Sequence, residues 1–214
     1  IPAATLNGQD KNNQFKIRVV QVTDTTVKSD TTTPITVVSR LNASTGWPSG
    51  GQTWFYNESK TINWTTDGVV NTVLLKYSAD GGSIWSNITP VAIANTGTYT
   101  WNVNIPVDND IRLRLESADS TNTGTAATDV YLASTSNFTV KGKLNITSPT
   151  ASNVGASSLR VGNTHTVTWN ADGTMGTVKL LYDNGAGTFG TTVRTGVAAS
   201  ALSCCTAPAW TIPD

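Results

Sequence analysis

One histidine, two adjacent cysteines and fourteen carboxylates are the whole stock from which this 214-residue chain can build a reactive centre. General acid–base and nucleophilic catalysis need titratable partners within hydrogen-bond reach of one another. His165 is the one conventional base, and no Ser/His/Asp spacing, phosphate loop or His/Cys metal cluster accompanies it. It shares strand parity with Val167 and Trp169, the pattern of an edge histidine partly shielding a core rather than of a ligand. No enzyme activity and no cofactor are expected.

Three other features carry some chemistry. Cys204 and Cys205 are the only cysteines and are neighbours, which excludes an ordinary disulfide framework. Consecutive Cα atoms lie about 3.8 Å apart, below the roughly 4.4–6.8 Å usual for a bridge, so a vicinal disulfide would be strained. A vicinal bridge, free thiols and cross-links between chains stay open. Asp80 and the run Asp108-Asn109-Asp110 carry oxygen ligands of the kind calcium takes, yet Asp and Asn beside glycine are also turn formers. Turn formation is the expectation, and no metal site is assigned. Trp47, beside Pro48, has no aromatic counterpart elsewhere in the chain's repeat; it either packs against a neighbouring module, sits in a core, or, with Tyr56, stacks on a sugar ring.

The elements that must position these residues are legible in composition. Glutamate appears twice, at Glu58 and Glu116, while Thr, Ser, Gly and Asn abound; β-branched and aromatic residues fall in short alternating runs. That is poor material for helices and good material for half-buried strands, so the chain is expected to be all-β. Its 14 basic and 14 acidic residues leave no net charge and no basic block, which removes the footprint nucleic-acid binders need. Apolar runs such as Val73-Leu74-Leu75 are far shorter than the roughly 20 residues of a spanning helix, so no membrane insertion is expected. Six Asn-x-Ser/Thr sequons (Asn42, Asn57, Asn63, Asn87, Asn137, Asn145) and low charge suit a secreted, extracellular or cell-surface protein, present as a mature product or an excised piece.

A repeat organises the chain. Ser59 to Trp64 followed by Asn71 to Tyr77 returns as Thr164 to Trp169 followed by Gly176 to Tyr182, 105 residues on. Trp101-Asn102-Val103 is answered by Trp210-Thr211-Ile212, and Trp54 by Leu159. The strands that follow Trp101 in the first copy have no counterpart after Trp210. They reappear at the other end: Phe15-Lys16-Ile17-Arg18-Val19 matches Ile111 to Leu115, and Ile35-Thr36-Val37 matches Phe138 to Val140. The expectation is one complete module at 41–144 and a second cut in two, with its final strands in 1–40 and its first strands in 145–214. Alternation buries Ile62, Trp64, Val73, Leu75, Tyr77, Trp101, Val103, Ile111, Leu113 and Leu115 in the complete module. Turn signals at Asp67-Gly68, Asp80-Gly81-Gly82 and Asn95-Thr96-Gly97 give the spacing of an immunoglobulin-like sandwich.

The order Gly51-Gln52-Thr53-Trp54, Ile62-Asn63-Trp64, Val73 to Gly82, Trp85, Tyr99-Thr100-Trp101 and Ile111 to Arg114 resembles the immunoglobulin-like domain of fungal cell-wall glucan-assembly and serine/threonine-rich surface-anchored proteins, also found in tandem arrays of large bacterial surface proteins. The second copy follows through Asn145 to Pro149, Val161-Gly162 and Trp169, and departs at Asn184-Gly185, Phe189 and Thr195 to Ala207. The resemblance implies tandem immunoglobulin-like sandwiches with a structural or wall-associated role and brings no catalytic residue. Two functions follow as expectations. One is a repeat unit of a fibre, stalk or adhesin, joined head to tail to identical units through Phe15, Ile17, Val19, Ile35 and Val37. The alternative is a carbohydrate-binding accessory module of a secreted polysaccharide-active protein, with cell-wall polysaccharide as its partner.

Overall fold

The computed structural model describes residues 8–119, 129–150, 159–201, 203–204 and 210–213. Among them no α-helix occurs, and the chain is all-β in several sheets, as its composition predicts. It divides into two compact units, residues 1–52, 59–102 and 109–139, and residues 53–58, 103–108 and 140–214.

The chain opens with β1 (Lys11–Phe15), β2 (Arg18–Val20), β3 (Lys28–Asp30) and β4 (Ile35–Val38). Next come β5 (Arg40–Ala43), β6 (Thr53–Phe55), β7 (Ser59–Asp67), β8 (Thr72–Ser78), β9 (Ser86–Asn87), β10 (Ile93–Ala94), β11 (Thr98–Asn102), β12 (Asp108–Ser117), β13 (Tyr131–Ala133) and β14 (Phe138–Lys141). The last stretch holds β15 (Lys143–Ser148), β16 (Thr164–His165), β17 (Val167–Asp172), β18 (Thr177–Tyr182), β19 (Thr191–Ala198), β20 (Ser203–Cys204) and β21 (Trp210–Thr211).

A seven-stranded sheet runs β10-β8-β12-β14-β6, with β9 also on β8 and β13 on β12; a three-stranded sheet runs β11-β7-β5. Alternate residues of these strands are buried, a pattern consistent with a β-sandwich. In the first unit the core holds Ile62, Trp64, Val73, Leu75, Trp101, Ile111, Leu113, Leu115 and Phe138. Tyr77, expected in that core, is half-buried instead; it lies near the end of β8, opposite Leu113 and Ser86. The Trp64 indole N–H donates to Asn95 Oδ1 at 2.7 Å, and Asn95 in turn donates to Thr66 Oγ1 and the Val70 carbonyl. A buried indole needs such an acceptor. Gly46 adopts φ +86, and a Cβ there would stand 2.5 Å from the Thr61 carbonyl oxygen, so only glycine fits.

In the second unit β15, β17 and β20 form one sheet, β18 and β19 a second, and β16 and β21 a third. Val167 and Trp169 centre its smaller core, packed by Val178, Leu180, Val193, Val197 and Trp210. The Trp169 indole donates to the Ala199 carbonyl at 2.9 Å.

The sequence repeat is also a repeat of register. Lys60 faces Trp101 in β7/β11, and His165 faces Trp210 in β16/β21. Tyr77 faces Ser86 and Lys76 faces Asn87; 105 residues on, Tyr182 faces Thr191 and Leu181 faces Thr192. Arg40 opposite Asp67 becomes Lys143 opposite Asp172.

Candidate functional site

The first copy and the second differ at one edge. In the first unit β8 has β9 and β10 on one side and β12 on the other. In the second, among the described residues, β18 pairs with β19 alone. Among the described residues, no strand of the second copy takes the edge that β12 covers in the first. The consequence shows in burial: Val73 and Leu75 are fully buried, whereas their counterparts Val178 and Leu180 are half-buried. Beside them opens an apolar cavity of about 230 Å³, lined by Ile146, Val167, Leu180, Tyr182, Phe189 and Trp210. Ile146 is 56% exposed and Phe189 70% exposed, so this is an apolar surface open to water. Asp183 sits at its margin, where its Oδ1 accepts the Gly185 and Ala186 N–H groups at 3.0 Å each; it forms no ion pair with a described residue.

The N-terminal segment forms ladders of its own. β1 pairs with β4 and β2 with β3, giving a long antiparallel hairpin whose tip is closed by the Gln21 N–H on the Val27 carbonyl. Its register copies that of β12 on β13: Arg18 opposite Asp30, Val19 opposite Ser29 and Val20 opposite Lys28 repeat Arg114 opposite Ala133, Leu115 opposite Leu132 and Glu116 opposite Tyr131. The base is fixed within the first unit. Ser117 Oγ donates to the buried Asp10 carboxylate at 2.5 Å, and the Ser39 N–H donates to the Asp10 carbonyl. Beyond that base the hairpin is exposed. Ile17 is 50% and Val19 71% exposed, where Leu113 and Leu115 are fully buried; Ile35 is exposed, and Phe15, its cross-strand partner, and Val37 are half-buried. Arg18 is fixed by Asp30 at 2.5 and 2.6 Å, which raises the guanidinium pKa and lowers that of the carboxyl, chiefly through these hydrogen bonds.

Neither protein-family models nor curated proteins yield a match to this sequence. The family resemblance rests on the residues quoted for it.

The remaining candidates take ordinary structural positions. Trp47 is 8% exposed, its backbone N–H donates to the Ser44 carbonyl, and among the described residues its indole nitrogen has no partner; the buried ring presents no free face for a sugar. Tyr56 is half-buried and its N–H donates to the Lys141 carbonyl. Asp80 accepts from Ser78 Oγ and from the Ser83 and Ile84 N–H groups, and these bonds, the serine's first, lower its pKa. Asp110 accepts from Asn137 Nδ2 at 2.8 Å. Among the described residues no three His, Cys, Asp or Glu side chains gather as a metal site. His165 is half-buried with Nε2 3.2 Å from Ser148 Oγ, and among the described residues no carboxylate completes that pair. The Cys204 backbone lies in β20 opposite Val167, and the Cys204–Cys205 linkage lies outside the described residues.

One cluster had escaped notice in the sequence. Glu116 is buried between Lys76, in ion-pair contact, and Arg114 at 3.1 Å, and the Arg114 guanidinium lies 4.4 Å over the Tyr131 ring and 5.7 Å from that of Trp85. Its partners come from several strands and meet only through register. The one sequence signal is the rarity of glutamate, for a charge retained in so uncharged a chain has a partner.

Proposed function

We propose that this chain is a structural repeat unit of an extracellular or cell-surface fibre, stalk or adhesin, built head to tail from immunoglobulin-like modules. In this reading residues 41–144 are a complete module, residues 145–214 hold the first strands of a second, and residues 1–40 hold its final strands. The observation that supports it is the presence of two incomplete objects. Among the described residues the β18 edge lacks the strand that β12 supplies to β8, and the N-terminal hairpin has the register of β12 and β13 with Ile17, Val19 and Ile35 exposed. Apolar surface left in water is unfavourable by about 25 cal/mol per Å², and bare strand edges recruit partners. A head-to-tail contact that does not close on itself makes a filament. The buried Trp47 ring lends no support to a carbohydrate-binding platform.

The test is sedimentation velocity and negative-stain electron microscopy of the purified chain from sub-micromolar to high micromolar concentration. Concentration-dependent linear polymers support the proposal. A chain that stays monomeric throughout refutes it.

A further inference from the structure

From the way the first copy is assembled, we infer the site and register of the joint between units, an inference that rests on the fibre reading: the hairpin of one copy adds along β18 of a second copy, with Ile17 opposite Tyr182 and Val19 opposite Leu180. The template is the β12/β8 ladder, in which Arg112 faces Ser78, Leu113 faces Tyr77, Arg114 faces Lys76 and Leu115 faces Leu75. The sequence matches carry Arg112, Leu113, Arg114 and Leu115 onto Lys16, Ile17, Arg18 and Val19, and carry Ser78, Tyr77, Lys76 and Leu75 onto Asp183, Tyr182, Leu181 and Leu180.

Three observations make this more than a transferred template. The inward positions agree: the half-buried Leu180 and Tyr182 line the open cavity, and the exposed Ile17 and Val19 are the residues that would cover them. The charges agree as well. Lys16 meets Asp183 at the end of the ladder, and this carboxylate has one oxygen engaged with its turn and no cation among the described residues. On the outward face, Arg18 brings its own partner, Asp30, so it meets Leu181 without an unpaired charge; Arg114 in the first copy uses Glu116 for the same purpose. A two-stranded hairpin thereby donates both the strand and its outer neighbour. Main-chain bonds supply affinity, and alternate side chains set the register.

The occupant is a second copy of this chain. Zero-length carbodiimide cross-linking is applied to full-length chain mixed from isotopically light and heavy preparations. Mass spectrometry then reads the peptides joining Lys16 to Asp183. The expected result is a Lys16–Asp183 cross-link carrying one light and one heavy peptide. Val19→Asp should abolish it and weaken association by more than roughly 100-fold, since a carboxylate would be buried without a partner. Lys16→Glu should weaken association roughly fivefold, and Lys16→Glu combined with Asp183→Lys should restore it. Both side chains are exposed or marginal, and a thermal scan of each variant checks that the first unit still unfolds as in the parent chain. Linear polymers without that cross-link, or indifferent to Val19→Asp, overturn this register and leave the fibre reading standing. Cross-links only between peptides of the same isotope show a chain closing on itself, and overturn both.

Discussion

Leu75 and Leu180 occupy the same place in the two copies of the repeat, and truncating each to alanine measures how closed each core is. Leu75 is fully buried between β12 and the facing sheet. Removing its isobutyl group loses the whole transfer free energy and leaves a cavity that the surrounding strands fill only in part, a cost of about 3 kcal/mol. Leu180 is half-buried beside an open cavity. Part of its surface is already wet and water can enter the space vacated, so the cavity penalty is absent and the cost is about 1 kcal/mol. Native-state hydrogen exchange read by mass spectrometry at sub-micromolar concentration separates the two, because peptides from β7 and β8 report one core and those from β17 and β18 the other. As concentration rises and units join, the Leu180→Ala cost should climb towards that of Leu75→Ala. Equal costs at every concentration would show that the β18 face is already closed and would refute the reasoning.

Asn95→Ala strands the Trp64 indole N–H inside the first unit and should cost about 1–3 kcal/mol in chemical denaturation. For Asp119, burial raises the carboxyl pKa, but the Thr72 hydroxyl and the Asn71 and Thr72 N–H groups outweigh it and hold the value below the ordinary range. A depressed folded-state pKa contributes stability that is full above the unfolded value of about 3.9 and is lost as pH falls through the folded value. The melting temperature of the first unit should therefore drop as pH falls below about 4, and Asp119→Asn should flatten that fall. His165→Gln should leave any glycosidase or peptidase assay of the purified chain unchanged, since among the described residues no carboxylate completes the His165–Ser148 pair; turnover abolished by that change would contradict a structural role.

The repeat was legible because Trp64 and the strands around it return 105 residues on at Trp169, and Trp101 returns 109 residues on at Trp210; in the structure Lys60 faces Trp101 and His165 faces Trp210. The hairpin was legible in part as strands, from the match of Phe15 to Val19 with Ile111 to Leu115; unlike the continuous β12, that stretch is interrupted at Lys16 and Ile17, between β1 and β2. Its own pairing was not, because β2 on β3 depends on a tip, Gln21 to Val27, whose composition states no turn type. Residues that meet across strands escaped as well. Lys76 and Arg114 are opposite in β8 and β12, and nothing local says that Glu116 lies between them. Trp47 was legible as exceptional, with burial among its readings; the choice between burial and sugar stacking was not legible, since burial of a loop residue is decided by what folds over it. Tyr77 follows the alternation of its strand yet is half-buried, while Ser78 beyond it is buried, so parity alone did not decide burial at the end of β8.

Cryo-electron microscopy of the assembled chain tests the central claim most directly. The account predicts density in which β18 of each unit is flanked by β19 on one side and, on the other, by Arg18–Val20 of a neighbouring copy, with Val19 packed on Leu180. A map in which β18 is flanked by another segment, or in which the hairpin stands free in solvent, would contradict it.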